Sequence, residues 1–127
     1  MLRSYKEYMS ILKAVENSQL LVISKKICRN CVKLKELLDN ISVSYDSIVL
    51  ENYMEMYDDD DFIFEEIEHL KKTLKIDSYP MVFINSEYIP SGYTEFSRMN
   101  EVGILVDYLK EKGLTFNREN QSSDDDF

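Results

Sequence analysis

The sequence has few of the residues that define several protein classes. Its 127 residues include two cysteines, two prolines, three glycines, one histidine and no tryptophan. Two cysteines cannot build the disulfide network of a small secreted domain. With a single histidine, a four-ligand Cys/His zinc site cannot be assembled. The contents of 44 % hydrophobic and 31 % charged residues are typical of a globular chain and exclude a collagen or a wholly disordered protein.

Positive net charge and long apolar runs are also missing. The chain carries 24 acidic and 15 basic side chains, for a formal charge of −9. This balance argues against broad binding to nucleic acids or anionic membranes, because both repel an acidic protein. No apolar run approaches the ~18 residues of a membrane span, and the first residues lack the apolar core of a signal peptide. We therefore expect a cytoplasmic protein in a reducing compartment.

Apolar periodicity predicts alternating helices and strands. The predicted helices cover about 5–16, 31–39, 63–74 and 95–112, and the predicted strands cover 20–23, 45–50, 81–84 and 87–89. Asn85 and Ser86 form a tight turn between the last two strands, and Gly113 ends the last helix. This order indicates an α/β fold, in which a four-stranded mixed sheet has helices on both faces. We expect one domain over residues 1–116 and an acidic, disordered tail over 117–127.

Two predicted helices carry apolar stripes that should face the core. The stripe of the first helix comprises Tyr5, Tyr8, Met9, Leu12 and Val15. The stripe of the last helix comprises Met99, Val102, Leu105, Val106 and Leu109. Asp58 to Asp61 suit the N-terminus of the third helix, where the helix dipole favours negative charge. His69 is expected on the exposed side of that helix.

The reactive candidate is the Cys28-Arg29-Asn30-Cys31 segment, between a predicted buried strand and a helix. Cys28 should lie at the helix N-terminus, where unpaired N–H groups and the helix dipole favour a thiolate. Cys31 should lie about one turn later, close enough for a disulfide. Residues 25 to 35 include no acid and five basic residues, which are Lys25, Lys26, Arg29, Lys33 and Lys35. The pattern predicts a redox-active pair; the alternative, two buried structural cysteines, fits Cys31 better than Cys28.

A proline enters the third predicted strand at Tyr79-Pro80. Proline at this place either begins the strand or bends the chain, because it cannot donate a ladder hydrogen bond. Together with the cysteine pair, the dipeptide predicts a cis peptide bond.

Over roughly residues 20–112 the chain resembles a dithiol glutaredoxin of the thioredoxin-fold superfamily. The stretches that carry the resemblance are residues 22–25, the pair Cys28 and Cys31, residues 78–84 and residues 89–96. The resemblance implies a thioredoxin-like fold and an enzyme, a glutathione-dependent thiol–disulfide oxidoreductase that reduces protein disulfides and glutathione mixed disulfides. The chain differs from the usual pattern in having Arg29-Asn30 between the cysteines, Pro90-Ser91-Gly92 after the last strand and a longer 51–61 stretch.

The resemblance also implies roles for individual residues. Cys28 is implied as the nucleophile, and Cys31 as the thiol that resolves the mixed disulfide. Lys25 is implied to contact a glutathione carboxylate, and the backbone of Tyr79, before Pro80, to pair with glutathione. The γ-glutamyl end is implied to lie against Gly92, Tyr93, Thr94 and Glu95.

The resemblance implies glutathione as a co-substrate, and we expect no metal. The implied partners are glutathione, disulfide-bonded or glutathionylated proteins and, indirectly, glutathione reductase with NADPH. Neither nucleic acid nor membrane is expected as a partner.

Three alternatives stay open at this point. The chain could be an electron donor served by a thioredoxin reductase, an iron–sulfur module shared by Cys28 and glutathione, or an interaction module that docks through 51–61. Arg29 argues against the cluster, which normally accompanies a small residue there.

Overall fold

The structure is a computed structural model that describes residues 11–52, 60–76 and 78–116, without the side chains of 60–63. Several predictions fall outside the described residues. They concern the stripe residues Tyr5, Tyr8 and Met9, the side chains of Asp58 to Asp61, most of the 51–61 stretch and the tail over 117–127.

Nine helices and strands have both ends within the described residues. They are α1 (Ile11–Asn17), β1 (Leu20–Ser24), α2 (Arg29–Asn40), β2 (Asp46–Val49), α3 (Asp60–Leu74), β3 (Met81–Ile84), β4 (Glu87–Ile89), α4 (Gly92–Glu101) and α5 (Leu105–Glu111). The strand order in the sheet is β2-β1-β3-β4. β1 is parallel to β2 and antiparallel to β3, and β3 is antiparallel to β4. The predicted four-stranded mixed sheet is therefore confirmed. No described helix is long and apolar enough to cross a bilayer.

Two apolar cores lie on opposite faces of the sheet, because successive side chains of a strand point to opposite sides. Leu21 and Ile23 of β1 pack in the core that α1 and α3 cover. Leu20 and Val22 pack in the core that α2, α4 and α5 cover. Every residue of β1 is buried, which explains why this strand reads as an uninterrupted apolar run. The cysteine segment thus follows a fully buried strand of the sheet.

The β3–β4 hairpin has the predicted tight turn. Asn85 and Ser86 both have positive φ, at 50° and 73°, as the type I′ hairpin turn requires. The Asn85 side-chain amide donates to the Lys112 carbonyl at 2.9 Å. The Ser86 hydroxyl donates to the Val15 carbonyl at 3.1 Å. The turn therefore contacts the ends of helices that lie on opposite faces of the sheet.

The prediction of one last helix over 95–112 is wrong. Gly103 adopts φ +81° and ends α4, and the Ile104 N–H donates back to the Met99 carbonyl at 2.9 Å. This is a Schellman stop, which the chain repeats at Gly113. Val102, expected to face the core, is 62 % exposed because it lies at the end of α4. α4 also begins earlier than predicted, at Gly92.

The stripe predicted for the first helix is also partly wrong. Leu12 is exposed, and Ile11 is fully buried in its place. Val15 is buried as predicted, and Ile11, four residues before it, packs in the same core, so only Leu12 is wrong among the described residues of the stripe.

Candidate active site

Cys28 is the N-cap of α2. Its backbone is extended, and its Sγ accepts a hydrogen bond from the Cys31 N–H at 3.1 Å. The two cysteines form a disulfide with their Cα atoms 5.2 Å apart. Cys28 is partly exposed, whereas Cys31 is only 2 % exposed. The predicted helix N-terminus is confirmed, and an incoming sulfur can reach Cys28 far more easily than Cys31.

The loop between β1 and Cys28 is held by a carboxylate from another part of the chain. The Lys26 N–H donates to Glu51 Oε1 at 2.9 Å. That hydrogen bond, with the Glu51 amide and the charges of Lys25 and Lys26, holds the pKa of the Glu51 carboxyl below its ordinary value. Sequence reasoning missed this contact. A usable signal is that parallel strands end at the same edge of a sheet, so the residues after β1 and after β2 come together.

Lys35 differs from the other basic residues of the 25–35 segment because its side chain reaches back to the sheet. Its Nζ donates to Ser24 Oγ at 3.1 Å, and Ser24 Oγ donates to the Ile48 carbonyl at 3.4 Å. Ser24 is fully buried. This chain of hydrogen bonds, also missed from the sequence, satisfies a buried hydroxyl and fixes α2 against β1 and β2.

The Tyr79-Pro80 bond is cis, as predicted. Pro80 is buried and Tyr79 is half-buried. The Lys25 ammonium lies 5.2 Å from the centre of the Tyr79 ring, within range of a cation–π contact. Burial, followed by the nearby carboxylates of Glu68 and Glu51, raises the pKa of the Tyr79 hydroxyl. The loop before α2 and the loop before β3 therefore meet where Lys25 contacts the ring of Tyr79.

A groove of about 80 Å³ lies between the cysteine segment, the cis-proline and the start of α4. Its lining residues are Asn30, Ser78, Tyr79, Pro80, Ser91, Gly92, Tyr93 and Thr94. Gly92 is required here by close packing, because a Cβ at this position would lie 2.7 Å from the Cβ of Val82 in β3. The glycine thus lets the first turn of α4 approach the sheet.

The structure brings together most of the residues that the resemblance implied, but not all of them. Tyr79, Pro80, Gly92, Tyr93 and Thr94 share the groove. Sequence reasoning missed three further lining residues, which are Asn30, Ser78 and Ser91.

Lys25 and Glu95 lie elsewhere. Lys25 lines a neighbouring cavity of about 250 Å³, which also borders Tyr79. Glu95 pairs with Arg98 at 2.9 Å and is not among the lining residues of the groove. Within the described ranges, no three Cys, His, Asp or Glu residues are grouped so that they could hold a metal ion. His69 is exposed, as expected.

The family profile and the similar solved structures both indicate the glutaredoxin family. The profile of the glutaredoxin family matches residues 20–89. A wheat glutaredoxin structure is similar at 28 % identity and a TM-score of 0.63, over 87 % of this chain and 91 % of that chain. Oxidized glutaredoxin 2 from Chlamydomonas reinhardtii is similar at 26 % identity and a TM-score of 0.62, over 88 % and 95 %. A buckwheat glutaredoxin–glutathione complex shares the fold at 23 % identity and a TM-score of 0.66, over 91 % and 98 %. A search of curated proteins finds no match.

Proposed function

Because the chain belongs to the glutaredoxin family of thiol–disulfide oxidoreductases, we propose that it reduces glutathione mixed disulfides and protein disulfides with glutathione as the reductant. The observation that carries the proposal is the groove beside the cysteine pair, which joins Asn30 between the cysteines to the cis-proline and the start of α4. A groove of this kind gives a small thiol a place to lie next to the sulfur that it exchanges with.

In the proposed reaction, the Cys28 thiolate attacks the glutathione sulfur of a mixed disulfide. The bond between Cys28 and glutathione forms as the substrate disulfide breaks, and the substrate leaves as a thiolate that takes a proton from water. A second glutathione thiolate then attacks the bound glutathione sulfur. Oxidised glutathione leaves, and the Cys28 thiolate is restored.

Protein disulfides would follow a route that uses both cysteines. Cys28 attacks one substrate sulfur and forms a mixed disulfide, and the first substrate thiolate leaves. Cys31 then attacks the Cys28 sulfur, so the second substrate thiolate leaves and the internal disulfide forms. Two glutathione molecules reduce that disulfide. The buried position of Cys31 and its 5.2 Å Cα separation from Cys28 suit attack on Cys28 alone.

The surroundings of Cys28 favour the thiolate that both routes need. Its Sγ accepts a hydrogen bond from the Cys31 N–H at the N-terminus of α2. Lys25, Lys26 and Arg29 are exposed in the same short segment. Helix N-termini and nearby cations stabilise a thiolate relative to a thiol, and the thiolate is the nucleophile.

Glutathione would bind through its carboxylates and its backbone. The N-terminus of α4, with Gly92, Tyr93 and Thr94, offers N–H groups to the γ-glutamyl carboxylate. Lys25, beside Tyr79, offers a positive charge to the other carboxylate. The buckwheat relative with this fold is a glutaredoxin solved in complex with glutathione, which supports the assignment.

The proposed partners follow from this chemistry. They are glutathione, glutathionylated or disulfide-bonded proteins and, through recycling of oxidised glutathione, glutathione reductase with NADPH. We also propose a single domain over residues 1–116 and a cytoplasmic location, where reducing systems keep thiols free.

The test is a coupled assay in which glutathione reductase and NADPH recycle glutathione during turnover of a small glutathione mixed disulfide. We expect Cys28→Ser to lower the rate to the uncatalysed background. Cys31→Ser should keep turnover of the mixed disulfide and lose reduction of a protein disulfide. The same protein is assayed with a thioredoxin reductase and NADPH in place of glutathione. Turnover with that system only, or wild-type turnover by Cys28→Ser, would overturn the proposal.

A further inference from the structure

A second concave surface, separate from the groove, borders Cys28. It is shallow and open to solvent, and its lining residues are Ile27, Cys28, Arg29, Val32, Lys33 and Glu36. We call this surface the Ile27–Val32 patch. It includes the sulfur-bearing residue itself, so a molecule bound there would contact the reacting group.

The patch exposes apolar side chains that the fold does not use. α2 buries Cys31, Leu34 and Leu38 against the sheet, whereas Val32 is 54 % exposed. Ile27 is 95 % exposed, more than any other large hydrophobic residue in the described ranges. Exposed apolar side chains grouped beside a functional residue are typical of a contact surface.

The patch also carries positive charge at its edge. Arg29 and Lys33 lie four residues apart on α2, so they share one face of the helix. Among the described residues neither forms an ion pair. Glu36 is the one acidic residue that lines the patch. This surface is therefore apolar and cationic, although the whole protein is acidic.

We propose that the Ile27–Val32 patch docks the polypeptide that carries the disulfide, and that it favours segments with an apolar residue and carboxylates beside the reactive cysteine. Charge complementarity with Arg29 and Lys33 identifies this occupant, because a basic or uncharged segment would gain nothing from them. The groove would remain available for glutathione. The inference rests on the proposed function and adds a substrate class to it.

The experiment measures attack by Cys28 without glutathione, so that it does not depend on glutathione chemistry. The full chain is reduced and mixed with three disulfides of thionitrobenzoate, whose release is followed by absorbance. The first carries a peptide with leucine and aspartate beside its cysteine, the second a peptide with serine and lysine there, and the third carries 2-mercaptoethanol only. Released thionitrobenzoate reports each rate constant directly.

We expect the wild-type protein to react about tenfold faster with the acidic–apolar peptide than with the basic one, since attraction to a charged rim mainly raises the association rate. Val32→Ser should lower the rate with the acidic–apolar peptide about threefold or more, because less apolar area is buried. Lys33→Glu should remove most of the preference, and added salt should reduce it. Val32→Ser should not change the rate with the 2-mercaptoethanol disulfide. The preference of Lys33→Glu is the ratio of its two peptide rates, which cancels any effect of the reversed charge on the Cys28 thiolate.

Two matched controls use exposed residues that do not line the patch. Val102→Ser removes an exposed valine between α4 and α5, and Lys72→Glu reverses a charge on α3, across the sheet from α2. Both should behave as wild type. Equal wild-type rates with the two peptides would overturn the docking proposal. An equal loss of rate by Val32→Ser with all three disulfides would also overturn it. A dimer in sedimentation that Val32→Ser dissociates would also overturn it, because a second copy would then cover the patch. Failure of the coupled glutathione assay would contradict the proposed function only.

Discussion

Gly92 offers a sharp test of how closely α4 approaches the sheet. An alanine Cβ there would lie 2.7 Å from the Cβ of Val82 and would also clash with its Cγ2. Val82 is fully buried and β-branched, so its side chain cannot change rotamer without a substantial energetic cost. Overpacking of this kind costs about 1–3 kcal/mol of unfolding free energy. For a domain of this size, a loss of about 2 kcal/mol corresponds to about 6–12 °C in Tm.

The size of the clash can be isolated with a double-mutant cycle measured by urea or thermal unfolding. Val82→Ala alone should cost about 2 kcal/mol, because it removes two buried methyl groups and leaves a cavity. In the Gly92→Ala/Val82→Ala protein, the contact with Cγ2 is gone, but the 2.7 Å contact between the two Cβ atoms remains, so only part of the clash is relieved. The double variant should therefore be about 1 kcal/mol more stable than the sum of the single changes predicts.

Gly103→Ala is the matched control for this cycle. Gly103 has φ +81° and no atom within 4 Å of an added Cβ, so alanine there introduces backbone strain without a clash. Its cost should add to that of Val82→Ala without coupling. Gly92→Ala should also raise the KM for a glutathione mixed disulfide, because Gly92 lines the groove. Additivity of Gly92→Ala and Val82→Ala within about 0.5 kcal/mol would refute the close approach.

Three further predictions concern charged and aromatic groups. Tyr79→Leu removes the ring beneath the Lys25 ammonium. The KM for a glutathione mixed disulfide should therefore rise about two- to fivefold in the coupled assay, with little change in kcat. Glu51 has a lowered pKa, so it stabilises the fold above its ordinary pKa of 4.5, and this contribution is lost as the pH falls through the lower folded-state value. Unfolding measured from pH 7 down to pH 3 should therefore depend less on pH in Glu51→Gln, and an unchanged profile would contradict the Lys26 hydrogen bond. Burial, the charge of Asp39 and their 3.1 Å hydrogen bond raise the pKa of Tyr45 to about 12. Asp39→Asn should lower the pKa of Tyr45 in a spectroscopic titration, because the negative charge of Asp39 is removed and burial remains. An unchanged pKa would refute the contact between Tyr45 and Asp39.

Local sequence patterns predicted the parts of the fold that depend on near neighbours. The apolar run of β1, the N-cap position of Cys28 and the Asn85–Ser86 turn each follow from a few adjacent residues. The cis peptide bond of Tyr79-Pro80 was also predicted, once the dipeptide was considered together with the cysteine pair. Of the groove, these patterns supplied Tyr79 and Pro80, whereas Gly92, Tyr93 and Thr94 came from the family resemblance.

The features that sequence reasoning missed depend on contacts between distant segments or on competing local signals. The Glu51 carboxylate and the Lys26 amide are 25 residues apart and meet only because β1 and β2 are parallel. Glu95 has the right place in the chain for the groove, but Arg98 lies one helical turn away and holds its carboxylate. The apolar stripe across Val102 suggested one helix, whereas Gly103 ends α4 there.

The short strands at both edges of the sheet have a consequence for behaviour at high concentration. β2 offers four residues and begins with Asp46, and β4 offers three and begins with Glu87. A strand from another molecule would find few backbone partners along either edge and would meet a carboxylate at each. Amyloid-like stacking of native molecules through these edges is therefore disfavoured, and crowding should leave the protein in solution.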